Sequence, residues 1–245
     1  MDSIEAYKKA AAYWNYPEVP YGPALRELIG PDDVVADIGC GIGVVSQFMA
    51  PLCKQVLAID KNEEALESLR KDLQEKSIDN VKPIHARWPD VPQEEWDIAI
   101  AIYHYHFGYT ALEIETLLRK TRKGGLIVSQ GLKERESFHE EVRQELGLEE
   151  RVTGCVGSCY VRGRLEQAGF QVTCEEMVHD FGQPVDSKAE AIAFLRHQFR
   201  LDEGYEDKLS EIALDYVENI DGQMVFPIKR FNCLLRFSVP GVFES

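Results

Sequence analysis

Residues 34–45 read VVADIGCGIGVV: a hydrophobic run carrying one acid, Asp37, then glycines at 39, 41 and 43, each separated from the next by a single residue. An apolar run of strand length that breaks into glycines and resumes as a second apolar stretch describes a buried strand, a tight turn and a helix. Three more short apolar runs follow: QVLAID at 55–60, DIAIAI at 97–102 and GLIVSQ at 125–130, the last behind a KGG turn signal. Runs that are apolar on both faces suit the buried strands of a parallel sheet. Amphipathic segments lie between them. NEEALESLRKDLQEK (62–76) sets Ala65, Leu66, Leu69 and Leu73 on one face, and TALEIETLLRK (110–120) repeats the design with Leu112, Leu117 and Leu118. Strands alternating with helices predict an α/β fold with right-handed crossovers.

Open α/β sheets bind ligands beyond the carboxyl ends of their strands, where a tight turn and a helix N-terminus expose backbone N–H groups. The dinucleotide fingerprint G-x-G-x-x-G places its third glycine where this chain has Val44, which counts against a nicotinamide ligand. The G-x-G-x-G of DIGCGIG instead resembles the first motif of class I S-adenosylmethionine-dependent methyltransferases. The resemblance implies a Rossmann-like, doubly wound sheet of about seven strands with helices on both faces, and S-adenosyl-L-methionine as cofactor. It implies that Asp37 helps hold the methionine amino group, and that Gly39, Cys40, Gly41 and Gly43 bring the backbone close to the cofactor. Asp60, ahead of Lys61, would take the ribose hydroxyls, a task suited to an acceptor-only carboxylate; the other reading of Asp60 is a helix N-cap. IHARWPD (84–90) stands at the adenine-packing loop, where this chain offers Ala86, Arg87 and Trp88 in place of the acid many members use. Trp88 reads equally as core. EWDIAIAIYHYHF (95–107) matches the fourth strand, with the backbone near Ala101 and Ile102 lining the methionine arm. RKTRKGGLIVSQ (119–130) and LEQAGF (165–170) extend the match to about residue 175.

The remainder narrows the function. The 245 residues suffice for one large domain, read as residues 1–245 with an aromatic flap at 1–23 and a helical insertion or lid at 187–229. With 27 basic and 42 acidic residues the formal charge is -15, which repels phosphate backbones, so no nucleic-acid partner is expected. The chain also lacks the Asn/Asp-Pro-Pro-aromatic motif of amino-methylating nucleic-acid enzymes. No apolar run approaches a membrane span, and a cytoplasmic chain with six reduced, buried cysteines is the expectation. His104 and His106 in YHYHFGY (103–109) are candidate general bases; their other reading is a pocket wall or helix cap, and no further ligands nominate a metal. Tyr13, Trp14, Tyr16 and Tyr21, with Tyr103, are candidate substrate contacts. The function that follows is methyl transfer to a small-molecule acceptor by in-line attack on the sulfonium methyl. A non-catalytic cofactor-binding subunit is the alternative.

Overall fold

The structure is a computed structural model that describes residues 3–91, 93–104, 107–108, 110–130, 138–149, 158–202 and 204–239. In chain order its elements are α1 (Ser3–Tyr13), α2 (Glu18–Leu28), β1 (Val34–Ile38), α3 (Val44–Met49), β2 (Gln55–Asp60), α4 (Glu63–Glu75), β3 (Val81–His85), β4 (Trp96–Ile102), α5 (Ala111–Lys120) and β5 (Thr121–Gln130). There follow α6 (Phe138–Glu145), α7 (Ser158–Gln167), β6 (Gln171–Asp180), β7 (Gln183–Val185), α8 (Lys188–Phe199), α9 (Glu206–Tyr216), β8 (Glu218–Ile220), β9 (Gln223–Phe226) and β10 (Lys229–Ser238). Backbone contacts divide the chain into two compact units. A sheet unit takes Tyr16–Gly131, Cys155–Met177 and Asn232–Ser245; a second unit takes Met1–Asn15, Leu132–Gly154 and Val178–Phe231.

The seven-stranded sheet has the order β3-β2-β1-β4-β5-β10-β6. Strands β1 to β5 pair in parallel, and β10 is antiparallel to β5. The order runs outward from β1 to β3, then restarts at β4 and runs the other way. With right-handed crossovers this reversal puts the helices of the two halves on opposite faces, giving the Rossmann-like doubly wound fold. Val35, Ala36, Ile38, Ile98 and Ile100 are fully buried, as two-sided apolar strands require.

Periodicity read α4 correctly: Ala65, Leu66, Leu69 and Leu73 are all buried. In α5 it misplaced one residue. Leu117 is buried but Leu112 is 55% exposed, and Ile114 fills the core position. Residues 112 and 117 are five apart, so a helix sets them well over a quarter-turn from each other. The KGG segment is not a turn either. Chain direction changes at the end of α5, and Gly124 and Gly125 lie inside β5. A Cβ on Gly125 would stand 2.0 Å from the Ala99 carbonyl oxygen, and one on Gly124 2.2 Å from that of Phe237. The two glycines let β5 close on its neighbours, beside a register shift between Trp96 and Ile98.

The second unit has its own core, in which Phe138, Val142, Phe194, Leu195, Leu209 and Phe226 are buried. The block expected to be helical contains α8 and α9, but its end is β8 and β9, joined at Asp221 and Gly222 (φ 51° and 88°). Two successive left-handed residues between paired strands make a tight hairpin, and Asp-Gly is a signal for it. A three-stranded antiparallel sheet, β7-β9-β8, results.

The aromatic segment expected as one flap is divided, with Tyr13 and Trp14 in the second unit and Tyr16 and Tyr21 in the sheet unit. The cysteines depart from expectation as well. Cys53 and Cys233 are buried, but Cys159 and Cys174 are exposed because they lie on α7 and on β6, whose surface is largely solvated. Cys155 lies outside the described residues. Among those residues no helix is long and apolar enough to cross a membrane.

Candidate active site at the ends of β1, β2 and β4

The strand order reverses between β1 and β4, the position at which an open α/β sheet takes its ligands, beyond the carboxyl ends of the strands. The loop after β1 carries the three glycines, all left-handed, with φ of 78° at Gly39, 54° at Gly41 and 73° at Gly43. The φ values are alike, but the surroundings are not. A Cβ on Gly39 would stand 2.4 Å from His104 Cδ2, and one on Gly43 2.3 Å from Leu69 Cδ1. A Cβ on Gly41 would meet nothing within 4 Å. Gly39 therefore admits a side chain from the β4 loop, Gly43 seats the turn on α4, and Gly41 faces open space.

The loop is fastened to the end of β2. The N–H groups of Gly39 and Cys40 donate to the Ile59 carbonyl at 2.8 and 3.1 Å. The Gly41 N–H donates to Asp60 Oδ2 at 2.8 Å, and the Asn62 N–H to Asp60 Oδ1 at 2.8 Å. Asn62, not Asp60, caps α4, accepting from the N–H groups of Glu64 and Ala65. Asp60 is thus an oriented carboxylate whose two oxygens each keep acceptor capacity. The residues named beside it are dispersed. Lys61 and Arg87 are exposed, and Ala86 donates its N–H to the Asp60 carbonyl at 3.0 Å. Trp88 is 7% exposed and stacks on Phe107 with ring centroids 5.5 Å apart, so its ring belongs to the core.

Asp37 is buried and accepts a hydrogen bond from the Ser46 hydroxyl at 2.5 Å, tying β1 to the first turn of α3. Burial, against the relief given by Ser46 and with the charge of Asp60 adding, pushes its carboxyl up to about 7. Burial and the same two carboxylates hold the Cys40 thiol far above its ordinary range, so it supplies no thiolate.

Beyond β4, Ala101 and Ile102 are buried and the backbone then turns sharply, with Tyr103 left-handed at φ 56°. A bulky residue holds that conformation only where its surroundings impose it. Here the Tyr103 N–H donates to the Val128 carbonyl at 3.0 Å and its hydroxyl to Asn232 Oδ1 at 2.8 Å. The Tyr21 hydroxyl lies 2.8 Å from that of Tyr103, and the Tyr16 ring stands edge-on to Tyr21. Tyr21 is fully buried, so it props Tyr103 from behind. In the second unit, Tyr13 and Trp14 donate to the carbonyls of Ile220 (3.4 Å) and Gly182 (2.8 Å).

The turn carries His104 over Gly39. Its ring meets Phe107 edge-on at 5.7 Å, and its Nδ1 is buried with no hydrogen-bond partner among the described residues. Burial lowers its pKa, opposed by the carboxylates of Glu113 and Asp60. His106 lies outside the described residues. Sequence reading missed Ser46, Asn62 and Asn232. The NEEAL start of α4 is an N-cap signature that could have named Asn62; no local signal marks Asn232, 129 residues from its partner.

A family model described as a methyltransferase domain matches residues 35–125, the span from β1 into β5. A probable cobalt-precorrin-6B C(15)-methyltransferase (decarboxylating) of Methanothermobacter thermautotrophicus is 32% identical over 152 residues, covering 56% of this chain and 77% of that protein. A ribosomal protein L11 methyltransferase of Clostridium botulinum is 25% identical over 150 residues, 61% of this chain; the chain spans 41% of that protein's length. The solved YcgJ protein of Bacillus subtilis superposes with a TM-score of 0.59 at 15% identity, over 91% of this chain and 98% of that one, a likeness of fold. With 32% identity to a methyltransferase over a stretch that covers 77% of that enzyme, and with the glycine loop and strand order in place, the chain belongs to the class I S-adenosylmethionine-dependent methyltransferases.

Proposed function

We propose that the crevice beside Gly41 binds S-adenosyl-L-methionine and that this methyltransferase acts on a small-molecule acceptor. The observation that carries the binding site is the Asp60 carboxylate, aimed by two backbone N–H groups next to a glycine whose missing side chain leaves open space. An acceptor-only group with spare lone pairs suits a ribose diol, and the bare Gly41 backbone lets a ligand come close. When bound, the cofactor supplies a methyl group made electrophilic by the adjoining sulfonium. The protein's own part is alignment and exclusion of water. Gly39, Gly41 and Gly43 shape the loop, Asp60 orients the ribose, and the buried backbone of Ala101 and Ile102 walls the side toward β4. Asp37 works from below by fixing α3 through Ser46.

The net charge of -15 supports an acceptor other than nucleic acid. The relative 32% identical acts, by its name, on a precorrin, a small molecule. Incubation with methyl-labelled cofactor and a cell extract, followed by separation of small molecules, protein and RNA, tests the acceptor class. Label in the small-molecule fraction is the expected result, and label confined to protein or RNA overturns it. Calorimetry with S-adenosylhomocysteine tests the site. It is expected to show binding, with no comparable binding of NAD.

A further inference from the structure

We propose that the outer face of α8 is a surface on which two copies of this chain associate, their helices antiparallel about a twofold axis at Ala193. A helix that is apolar on both sides is ordinarily covered on both. The inner side of α8 is covered, since Ala191, Phe194, Leu195 and Phe199 are buried in the core of the second unit. The outer side lines an open groove of about 640 Å³, with Ala189, Ile192 and Ala193 along one half and Arg196, His197 and Arg200 along the other. These six recur at intervals of three and four residues, so they form one stripe of the helix.

Charge selects the occupant. A chain with a formal charge of -15 repels copies of itself, so copies meet most easily where the local charge is reversed. Among the described residues no acidic side chain lines the groove. The charges flanking it are also ordered about its middle. Asp186 stands seven residues before Ala193 and Arg200 seven after; Glu190 stands three before and Arg196 three after. A second copy turned end over end about Ala193 therefore sets Arg200 against the partner's Asp186, and the twofold axis repeats the pair. The inner two charges are engaged within one copy, Arg196 with Glu206 at 2.6 Å and Glu190 with Lys9 at 2.9 Å. The outer two are open to a partner. Arg200 is exposed, and the Asp186 side chain, although it also meets Lys9, is 70% exposed. Arg200 moreover holds a left-handed backbone, φ 54°, at the helix cap, where glycine is the ordinary choice and a side chain adds strain. Alanine at 189 and 193 lets a second helix come close, with Ile192 and Leu201 as apolar edges. One pair of twelve-residue helices is smaller than a standard stable interface, so a reversible dimer with a Kd of about 10–100 µM is expected.

Sedimentation velocity of the full chain, from about 1 to 300 µM, tests this, and the wild type is expected to pass from monomer toward twice the mass. Ala193→Glu sets two carboxylates face to face at the axis and should weaken association about tenfold or more. Arg200→Asp and Asp186→Arg should each weaken it about fivefold. An equimolar mixture of those two variants should recover wild-type association, because a mixed pair restores both contacts. The latter two sites are exposed, so they keep the test open should Ala193→Glu fail to fold, which circular dichroism reads. A wild type that stays monomeric throughout, association indifferent to Ala193→Glu, or a mixture no better than its components each overturns the proposal. A monomer that instead takes up dodecanoate, and loses it in Arg200→Ala, would give the groove to an anionic amphiphile.

Discussion

The two units bury different kinds of side chain. In the second unit the core is aromatic and aliphatic, with Phe226 between Phe138 and Phe194 at centroid distances of 5.4 and 5.2 Å. Among the described residues its buried polar side chain is Gln183. The sheet unit buries Asp33, Asp37, Ser46, Glu113, Lys120, Thr121 and Asn232 along with its apolar strands. Buried polar groups and left-handed backbone cost stability unless they are paired or imposed. Three left-handed glycines, a left-handed tyrosine and a buried imidazole whose Nδ1 has no partner among the described residues gather at one end of one sheet. In the second unit the described left-handed residues, Asn15, Gly147, Arg200, Gly204, Asp221 and Gly222, are spread over separate turns, and its core packs apolar side chains.

The strongest attempt to break this contrast is Phe226→Ala. Emptying a fully buried aromatic site is expected to cost about 3–5 kcal/mol of unfolding free energy while the folded protein keeps its affinity for S-adenosylhomocysteine. Chemical denaturation and calorimetry together read both quantities, and a parallel fall in affinity would erase the distinction. Asp60→Ala should show the reverse pattern. Affinity is expected to drop by about 2–4 kcal/mol, as charge-assisted hydrogen bonds are lost from a desolvated crevice, while stability falls by only about 1 kcal/mol. Unchanged affinity would return Asp60 to a purely structural part.

Asp37 tests whether the sheet unit bears a cost for its buried acid. Its carboxyl, at about 7 in the folded chain against an ordinary 3.8, holds a proton there that the unfolded chain has released. Stability is therefore greatest below the unfolded value and declines as pH rises from about 4 to 7. Asp37→Asn removes that decline, so the variant should gain about 1–3 kcal/mol at about pH 8 and nothing near pH 4. A gain independent of pH would mean that burial of charge is not the cause. The smallest effect expected is at Thr110, which caps α5 in a reciprocal box with Glu113. Thr110→Ala should cost about 1 kcal/mol in thermal unfolding and leave S-adenosylhomocysteine binding unaltered. A change in binding would tie the cap to the crevice through the Glu113 carboxylate.

Local spacing in the chain was enough to determine four of the five parallel strands, β1, β2, β4 and β5, together with the amphipathic face of α4, the glycine loop and the acid ending β2. Each of these is a relation among residues within a turn or a strand of one another, where backbone sterics and side-chain period leave few alternatives. Some local signals were present but misread: Asn62 ahead of its helix, and Asp221-Gly222 between β8 and β9. Other features had no local signal. The tertiary structure alone decided that Gly124 and Gly125 sit within a strand, because the obstacle to a side chain there is a carbonyl oxygen on a neighbouring strand. It alone divided the N-terminal aromatics between two units, set Trp88 against Phe107, and joined Tyr21, Tyr103 and Asn232 across 82 and 129 residues. Gly39 belongs to both lists. Its place in the motif is written in the sequence, but what it makes room for, the His104 ring, exists only once β4 has paired beside β1. A contact between residues far apart in the chain has no period and no spacing, and it appears only when the sheet order brings the two strand ends together.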